Sequence, residues 1–82
     1  MLPFVLGESI AAKVDLRRDG AQGVVHAHAA HLQPGHTAGE VAGPLAAELV
    51  RMARWLGLGE VRVARQGKLG AALAGEVKTL GG

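Results

Sequence analysis

The sequence lacks cysteine and tyrosine, and it has only one phenylalanine and one tryptophan among 82 residues. Without cysteine the chain can form neither a disulfide nor a thiolate zinc site, and thiol catalysis is excluded. With 49% hydrophobic and 20% charged residues it suits one small globular domain. Because the apolar residues are mostly Ala, Val and Leu, we expect a thin core that gains stability from packing against another domain or a second copy.

A strong charge and long apolar runs are also missing. Nine Lys and Arg oppose seven Asp and Glu, giving a net charge of +2. This small excess does not by itself indicate nucleic acid. No apolar run approaches the ~18 residues of a membrane helix. The opening MLPFVLG is too short for a signal peptide and has no basic flank. We therefore expect a soluble, cytoplasmic chain with no membrane partner.

Apolar alternation predicts three strands in the first half of the chain. The run Leu2–Leu6, closed by Gly7, suits a first strand. From Ser9 the apolar residues fall on even numbers, which predicts a half-buried second strand: Ile10, Ala12, Val14 and Leu16. After turn residues 19–23 they fall on odd numbers: Val25, Ala27 and Ala29. The histidines of this third strand then lie on its outer face: His26, His28 and His31. Since His31 breaks the alternation, we expect a bend or an end near Ala30.

The pairing of these last two strands depends on the length of their loop. Opposed residues of an antiparallel pair point to the same face, so the paired numbers must sum to an odd value. A two-residue loop at Gly20 and Ala21 opposes Asp15 to His26. A four-residue loop, residues 20–23, opposes Asp15 to His28 and Arg17 to His26. In both registers the histidines share the outer face with Lys13, Asp15 and Arg17.

The second half of the chain predicts helix, strand and helix. Thr37 and Glu40 fit a capping box, and apolar residues then recur at helical spacing: Val41, Leu45, Leu49, Met52 and Leu56. Pro44 either kinks a helix begun near Ala38 or lies in the first turn of one begun at Gly43. Gly57 is placed to end it. Residues 60–65 alternate as a fourth strand, and Leu69, Ala72 and Leu73 predict a short final helix.

These elements predict an α+β fold in a single domain of residues 1–75, followed by a frayed tail of residues 76–82. About four mostly antiparallel strands would form a small sheet, with one amphipathic helix packed on its apolar face. Ala12, Ala27 and Ala29 leave room for that helix to approach closely.

Two polar clusters are candidate binding sites. His26 and His28 lie about 7 Å apart on one strand face, and with Asp15 they could chelate a metal ion if a further ligand arrived. His36, however, lies beyond a Pro-Gly break, so exposed strand histidines are the favoured interpretation. The metal candidates are thus weak, and we expect no metal and no other cofactor.

The second cluster is a basic hairpin tip, Arg17 and Arg18, with Lys13 behind it. Such a tip can contact phosphate, although the neighbouring Asp15 and Asp19 offset its charge and favour an ordinary solvated turn. Four further arginines could form a second basic area: Arg51, Arg54, Arg62 and Arg65. No aromatic residue lies among them, which argues against stacking on single strands.

Catalytic motifs and phosphate-binding loops are not found. Ser9 is the only serine and has no GxSxG context. LGLGE follows a helix rather than a strand, which is the arrangement of a helix stop. The glutamates lie scattered near caps, turns and polar faces. The residues themselves predict no enzyme and no small-molecule substrate.

Three segments together resemble a known family: LPFVLGESIAAKVDLRRDGAQGVV, AHLQPG and LAAELVRMARWLGLGEVRVARQGKLGAAL. They are similar to the C-terminal region of bacterial winged-helix proteins that include the crosslink-repair DNA glycosylases of the YcaQ type. The most specific parts are VDLRRD, residues 14–19, and MARWLGLGEVRV, residues 52–63. The resemblance runs over residues 2–73 and implies a small, β-rich, barrel-like domain that follows tandem winged helices.

The resemblance implies a DNA-handling accessory domain without glycosylase activity. The family's catalytic glutamine and acidic residues belong to its N-terminal part, and Gln22, Gln33 and Gln66 do not match that motif. Two departures are Gly20, where the family usually has a basic residue, and the His26-Ala-His28 pattern. We predict weak contact with duplex DNA through Lys13, Arg17 and Arg18, with upstream winged-helix domains or a second copy as further partners. The alternative is a self-associating or partner-binding module with no nucleic-acid role.

Overall fold

A computed structural model describes residues 2–80 of the chain. Its elements follow the predicted order, with two helices placed after a three-strand meander and separated by a fourth strand. Their bounds are β1 Leu2–Leu6, β2 Ser9–Asp19, β3 Val24–Leu32, α1 Ala38–Trp55, β4 Glu60–Val63 and α2 Gly67–Thr79. None of the helices within residues 2–80 is long and apolar enough to cross a membrane.

The four strands form one open sheet in the order β1-β2-β3-β4. The pairs β1–β2 and β2–β3 are antiparallel, whereas β3 and β4 are parallel because α1 crosses over between them. The predicted α+β class and mostly antiparallel sheet are confirmed. The barrel-like closure is wrong, since β1 and β4 lie at opposite edges of the sheet and do not pair with each other.

The core lies between one face of the sheet and both helices. Side chains of the strands meet those of α1 and α2 in a single cluster of small aliphatic residues, including Val14, Val25, Val61, Leu45, Leu49 and Leu73. No aromatic side chain of the described chain is fully buried, and Trp55 is 83% exposed. The core therefore consists of small aliphatic side chains, as the composition predicts. Two helices cover it, whereas one was predicted to pack on the sheet.

Two β-bulges adjust the strand registers. Near the turn, Asp19 opposes Val24 and Arg17 opposes His26, which confirms the four-residue loop. The register then shifts by one residue, so Asp15 opposes Ala29 and not His28 as predicted. Because His28 is the unpaired residue, the alternation restarts after it and His31 keeps to the outer face. This bulge is the break in alternation that the sequence showed.

The second bulge lies at the start of β2. Phe4 opposes Ala12 while Val5 opposes Ile10, so Ala11 is the extra residue. As a result Ala11 is fully buried and Ile10 is 44% exposed. The prediction that Ile10 belongs to the core is therefore wrong, since strict alternation does not hold across a bulge.

Helix α1 has the predicted ends. The Thr37 hydroxyl accepts a hydrogen bond from the Glu40 amide at 3.3 Å, which is the cap half of the capping box. Gly57 has φ +76°, and the Gly57 and Leu58 amides donate to Arg54 and Ala53 carbonyls, completing a Schellman ending. Between these ends Pro44 lies inside the helix. Of the two predictions for Pro44, the helix begun at Ala38 is therefore confirmed.

Helix α2 is longer than predicted. It continues to Thr79, and Val77 in its last turns is 3% exposed and belongs to the core. The frayed tail predicted from residue 76 onward is therefore helical up to Thr79, because Val77 extends the apolar stripe by one more turn. Residues 81 and 82 of that predicted tail lie outside the described residues.

Candidate functional site

The outer face is the face of the sheet opposite the two helices. It carries two predicted DNA-binding residues, Lys13 and Arg17, both exposed and on the same strand. Four residues of strand rise separate them by about 13 Å. Arg18 does not join them, because it opposes Val25, whose side chain is in the core. Since opposed residues share a face, Arg18 lies at the hairpin end on the helix side.

Arg62 joins the outer face from β4. His26 opposes Arg17 on one side and pairs in parallel register with Arg62 on the other. These three side chains therefore form a row across β2, β3 and β4. Lys13 opposes His31 in a second row. The sequence predicted Arg62 only as part of a separate basic area, because it could not show that β4 lies beside β3.

Three acidic residues lie on this face: Asp15, Asp19 and Glu60. Asp15 is exposed between Lys13 and Arg17 on β2, two residues from each, and offsets their charge without forming an ion pair within residues 2–80. Glu60 is paired with Arg62, and the Asp19 carboxylate accepts a hydrogen bond from the Gln22 amide at 3.2 Å. Lys13 and Arg17, in contrast, form no ion pair with any other part of residues 2–80. They are exposed positive charges of the outer face without a salt-bridge partner.

The histidines are adjacent on this face but do not complete a metal site. The His26 and His28 rings stack with their centroids 5.7 Å apart and their planes at 22°. Asp15, the third candidate ligand, opposes Ala29 because of the bulge. Over residues 2–80 no group of three or more His, Asp or Glu side chains is arranged to hold a metal ion. The two stacked rings lie side by side along β3, with His26 opposite Arg17.

The second predicted basic area is divided by the fold. Arg51 and Arg54 lie on exposed positions of α1, and Arg51 is bound to Glu48 at 3.1 Å. Arg62 lies on the outer face, and Arg65 follows β4 in the link to α2. These arginines therefore do not form one patch, because α1 and β4 lie in different layers.

A further cluster joins the start of β2 to the start of α1. The Ser9 hydroxyl lies 2.8 Å from Nε2 of His36, and Nδ1 of His36 lies 2.7 Å from Oε1 of Glu40. The Ser9 residue is exposed, the His36 side chain is 13% exposed, and the Glu40 side chain is 45% exposed. The hydroxyl, imidazole and carboxylate thus form one hydrogen-bonded chain that ends at the surface.

Local backbone geometry brings these three residues together. The Gln33 amide donates to the Ala11 carbonyl at 2.9 Å, which holds the end of β3 against β2. Gly35 has φ +86°, and the chain turns there so that His36 lies beside Ser9. Glu40 is four residues after His36, one turn into α1, which is the spacing at which side chains meet.

This cluster was not among the sites predicted from the sequence. The His36-to-Glu40 spacing next to a helix cap was a local signal that could have been read. The approach of Ser9, 27 residues away, depends on how the end of β3 leaves the sheet. The absence of a GxSxG context did not bear on it, because here the serine begins a strand and is not on a strand-to-helix turn.

An apolar groove opens on the helix side of the sheet, between β1, β2 and α1. It has a volume of about 200 Å³ and is lined mainly by Leu2, Phe4, Val14, Leu16, Leu45, Leu49 and Met52. Leu2 at its rim is 54% exposed. The groove is present because the helices pack mainly over the β3–β4 half of the sheet, which leaves the β1 edge open.

Comparison with known proteins identifies no relative of this chain. No family model, no curated protein and no solved structure matches the chain. The resemblance to winged-helix glycosylases therefore stays a prediction from the residues that carry it. Three features of residues 2–80 could support a function: two cations of the outer face without a salt-bridge partner, a hydrogen-bonded serine, and an open apolar groove.

Proposed function

We propose that this chain is a non-catalytic ancillary module of a bacterial winged-helix DNA-repair protein of the crosslink or alkyl-base glycosylase type. It contacts duplex DNA weakly through its outer face and works in the cytoplasm. The observation that supports this proposal is the pair Lys13 and Arg17, exposed, unpaired and on one face of the sheet. Base excision is not part of the proposal, because no glutamine of this chain matches the family's catalytic motif.

The chemistry of this face suits phosphate rather than bases. Lysine and arginine that contact phosphate position a protein on duplex DNA without reading its sequence. The flanking histidines, His26, His28 and His31, add polar ring edges that can donate to phosphate oxygens. Arg62 is paired with Glu60 and contributes less charge. We therefore expect binding without sequence preference.

The test is fluorescence anisotropy of a labelled duplex titrated with the protein at two salt concentrations. With two phosphate contacts, log K should fall with a slope of about −2 against log salt, so a fourfold increase in salt weakens binding about tenfold. The double variant Lys13→Ala/Arg17→Ala should lose this binding. Arg18→Ala should retain most of it, because Arg18 lies on the helix side.

The matched control is Arg54→Ala/Lys68→Ala, which removes the same charge from the two helices. If it weakens binding as much as the outer-face variant, binding reflects net charge and the outer-face site is wrong. Absence of any binding at low salt would remove the DNA role from this chain.

A second candidate function is self-association or docking of a neighbouring domain on the apolar groove. The specific observation that favours it is the open groove with Leu2 at its rim. A winged-helix domain or a second copy would cover this surface and enlarge the core. Sedimentation equilibrium of Leu2→Glu against Leu80→Glu tests the second-copy case, since only the former charges the groove. Equal masses for both variants and the unaltered chain, all monomeric, would exclude a homodimer.

A further inference from the structure

We propose that Ser9, His36 and Glu40 form a nucleophilic site that accepts acyl groups from small activated esters. The proposed function is non-catalytic with respect to base excision, and acyl transfer here is a separate activity. The site uses none of the residues of the proposed DNA surface, so the DNA contact and the acyl transfer can each fail without the other. Its basis is the connection of the three side chains: the hydroxyl to Nε2, and the other ring nitrogen, Nδ1, to the carboxylate.

The carboxylate determines which nitrogen of a neutral imidazole carries the hydrogen. An ionised Glu40 can only accept, so the ring must carry a hydrogen on Nδ1 to make the 2.7 Å bond. In the neutral ring Nε2 is then an acceptor, and the 2.8 Å bond to Ser9 is one in which the hydroxyl donates. This is the arrangement in which histidine acts as general base toward serine. Glu40 lies in the first turn of α1, where the helix dipole favours a negative charge.

Each step of the reaction balances with water as the only co-reactant. The Ser9 oxygen bonds to the ester carbonyl carbon while its proton passes to Nε2 of His36. The bond from carbon to the leaving oxygen breaks, and the proton passes from Nε2 to that oxygen, releasing an alcohol. Water then attacks the acyl-serine, giving its proton to Nε2. The serine oxygen leaves and recovers that proton, and the carboxylic acid is released.

The surroundings of the cluster define the substrate class. Ser9 is exposed, and four cavities of residues 2–80, the apolar groove among them, are lined by other residues, so none of these four holds a long acyl chain beside Ser9. The amides of Ala38 and Gly39 begin α1 two and three residues after His36 and have no acceptor inside the helix. A helix start with unsatisfied amides beside the histidine is a place where a developing oxyanion can be stabilised. We therefore expect short acyl esters with good leaving groups as substrates.

The first measurement is covalent labelling of the unaltered chain with a fluorophosphonate, followed by intact mass and peptide mapping. We expect one adduct at Ser9, lost in His36→Ala. Thr79 is an internal control, because its hydroxyl donates to the Gly75 carbonyl and has no imidazole beside it. Labelling equal at Ser9 and Thr79 would overturn the proposal before any variant is made.

The second measurement is hydrolysis of p-nitrophenyl acetate. Ser9→Ala should lower the rate above buffer by about tenfold or more. A positioned general base contributes about 100-fold or more, and the exposed histidines supply a residual rate that reduces the observed loss. Exposed histidines also react with this ester, so the matched control is His26→Ala/His28→Ala/His31→Ala, which should keep the Ser9-dependent rate. Loss of activity in that control, with none in Ser9→Ala, would assign hydrolysis to the outer-face imidazoles instead.

Glu40 is a positioning residue in this scheme. Glu40→Gln should lower kcat several-fold with KM unchanged, and Glu40→Asp should recover part of the loss. Urea unfolding of Ser9→Ala and Glu40→Gln distinguishes a positioning role in ester hydrolysis from a purely structural link between β2 and α1. If both variants unfold at lower urea while the ester is hydrolysed at the original rate, the cluster is a structural link and the proposal is wrong.

Discussion

At the residue scale, Gly70 marks a close approach of α2 to the segment after β4. A Cβ at this buried position would lie 2.7 Å from the Ala64 carbonyl oxygen. Because that oxygen belongs to the backbone, it cannot move aside as a side chain does. We predict that Gly70→Ala destabilises the fold by up to about 2 kcal/mol, since overpacking costs about 1–3 kcal/mol and the gain in helix propensity offsets only ~1 kcal/mol of it. Urea unfolding followed by circular dichroism measures this.

Gly75 is the control on the same helix. It is exposed, and nothing lies within 4 Å of a Cβ placed there. Gly75→Ala should therefore stabilise the protein by up to about 1 kcal/mol. Stabilisation by both substitutions would mean that α2 does not approach the segment after β4 so closely.

Some residues of the candidate sites could be placed from the sequence alone, and others could not. Lys13 and Arg17 were placed on the outer face because alternation within one strand is a local property. Arg18 was grouped with them by sequence proximity, although alternation turns it to the other face. Ser9 and His36 meet only through the path of the chain after β3, which no local pattern encodes.

At the element scale, Pro44 lowers the stability of α1. It occupies the seventh residue of an 18-residue helix, where it cannot donate to the Glu40 carbonyl. We predict that Pro44→Ala stabilises the protein by about 1–3 kcal/mol. Pro34, in the link between β3 and α1, is the control: Pro34→Ala should destabilise slightly, because it only frees the unfolded chain. A lower urea midpoint for Pro44→Ala would contradict the prediction.

The Schellman ending of α1 makes a separate prediction. Gly57 needs a positive φ, which costs a non-glycine residue about 1–2 kcal/mol. Gly57→Ala should therefore destabilise by about that amount. Gly59, two residues later, has neither a positive φ nor a neighbour within 4 Å of its Cβ position. Gly59→Ala should leave the urea midpoint nearly unchanged, and an equal effect of both substitutions would argue against this helix end.

Element ends were predicted more accurately than strand registers. Thr37 and Gly57 act through hydrogen bonds within a few residues, so their sequence signals are sufficient. The bulges at Ala11 and His28 depend on which residue of the neighbouring strand lies opposite. Ile10 was therefore assigned to the core although it is exposed, and Asp15 was opposed to His28. The length of α2 was underestimated because Val77 was not recognised as part of its apolar stripe.

At the scale of the whole molecule, the periodicity of apolar residues was sufficient to predict helices packed on a sheet. It was not sufficient to predict whether the sheet closes into a barrel. Amphipathic helices beside half-apolar strands leave few ways to bury both apolar faces, so the α+β class was accessible from sequence. Whether the edge strands meet depends on twist and on where the helices pack. Here α1 and α2 occupy one face, β1 remains an edge, and the groove along it follows from that placement.

Because the core is thin, a single core substitution can remove a large share of the free energy of unfolding. A domain of this length has a total stability of about 4–12 kcal/mol. Leu73 is completely buried and is the largest such side chain. Leu73→Ala should cost about 2–5 kcal/mol through lost burial and the cavity left behind, because a core of small aliphatic residues offers little to refill it. Far-UV circular dichroism in urea is the suitable probe, since Trp55 is 83% exposed and reports little on unfolding.

Leu80 provides the comparison that isolates burial from side-chain identity. It follows α2 and is 44% exposed, so Leu80→Ala should change stability by no more than about 0.5 kcal/mol. Similar effects of both substitutions would mean that Leu73 is not enclosed between the sheet and the helices. A second copy or a neighbouring domain bound in the groove would partly restore the stability lost in Leu73→Ala, because a bound partner stabilises only the folded chain. Concentration-dependent recovery of the urea midpoint would therefore connect the thin core to self-association.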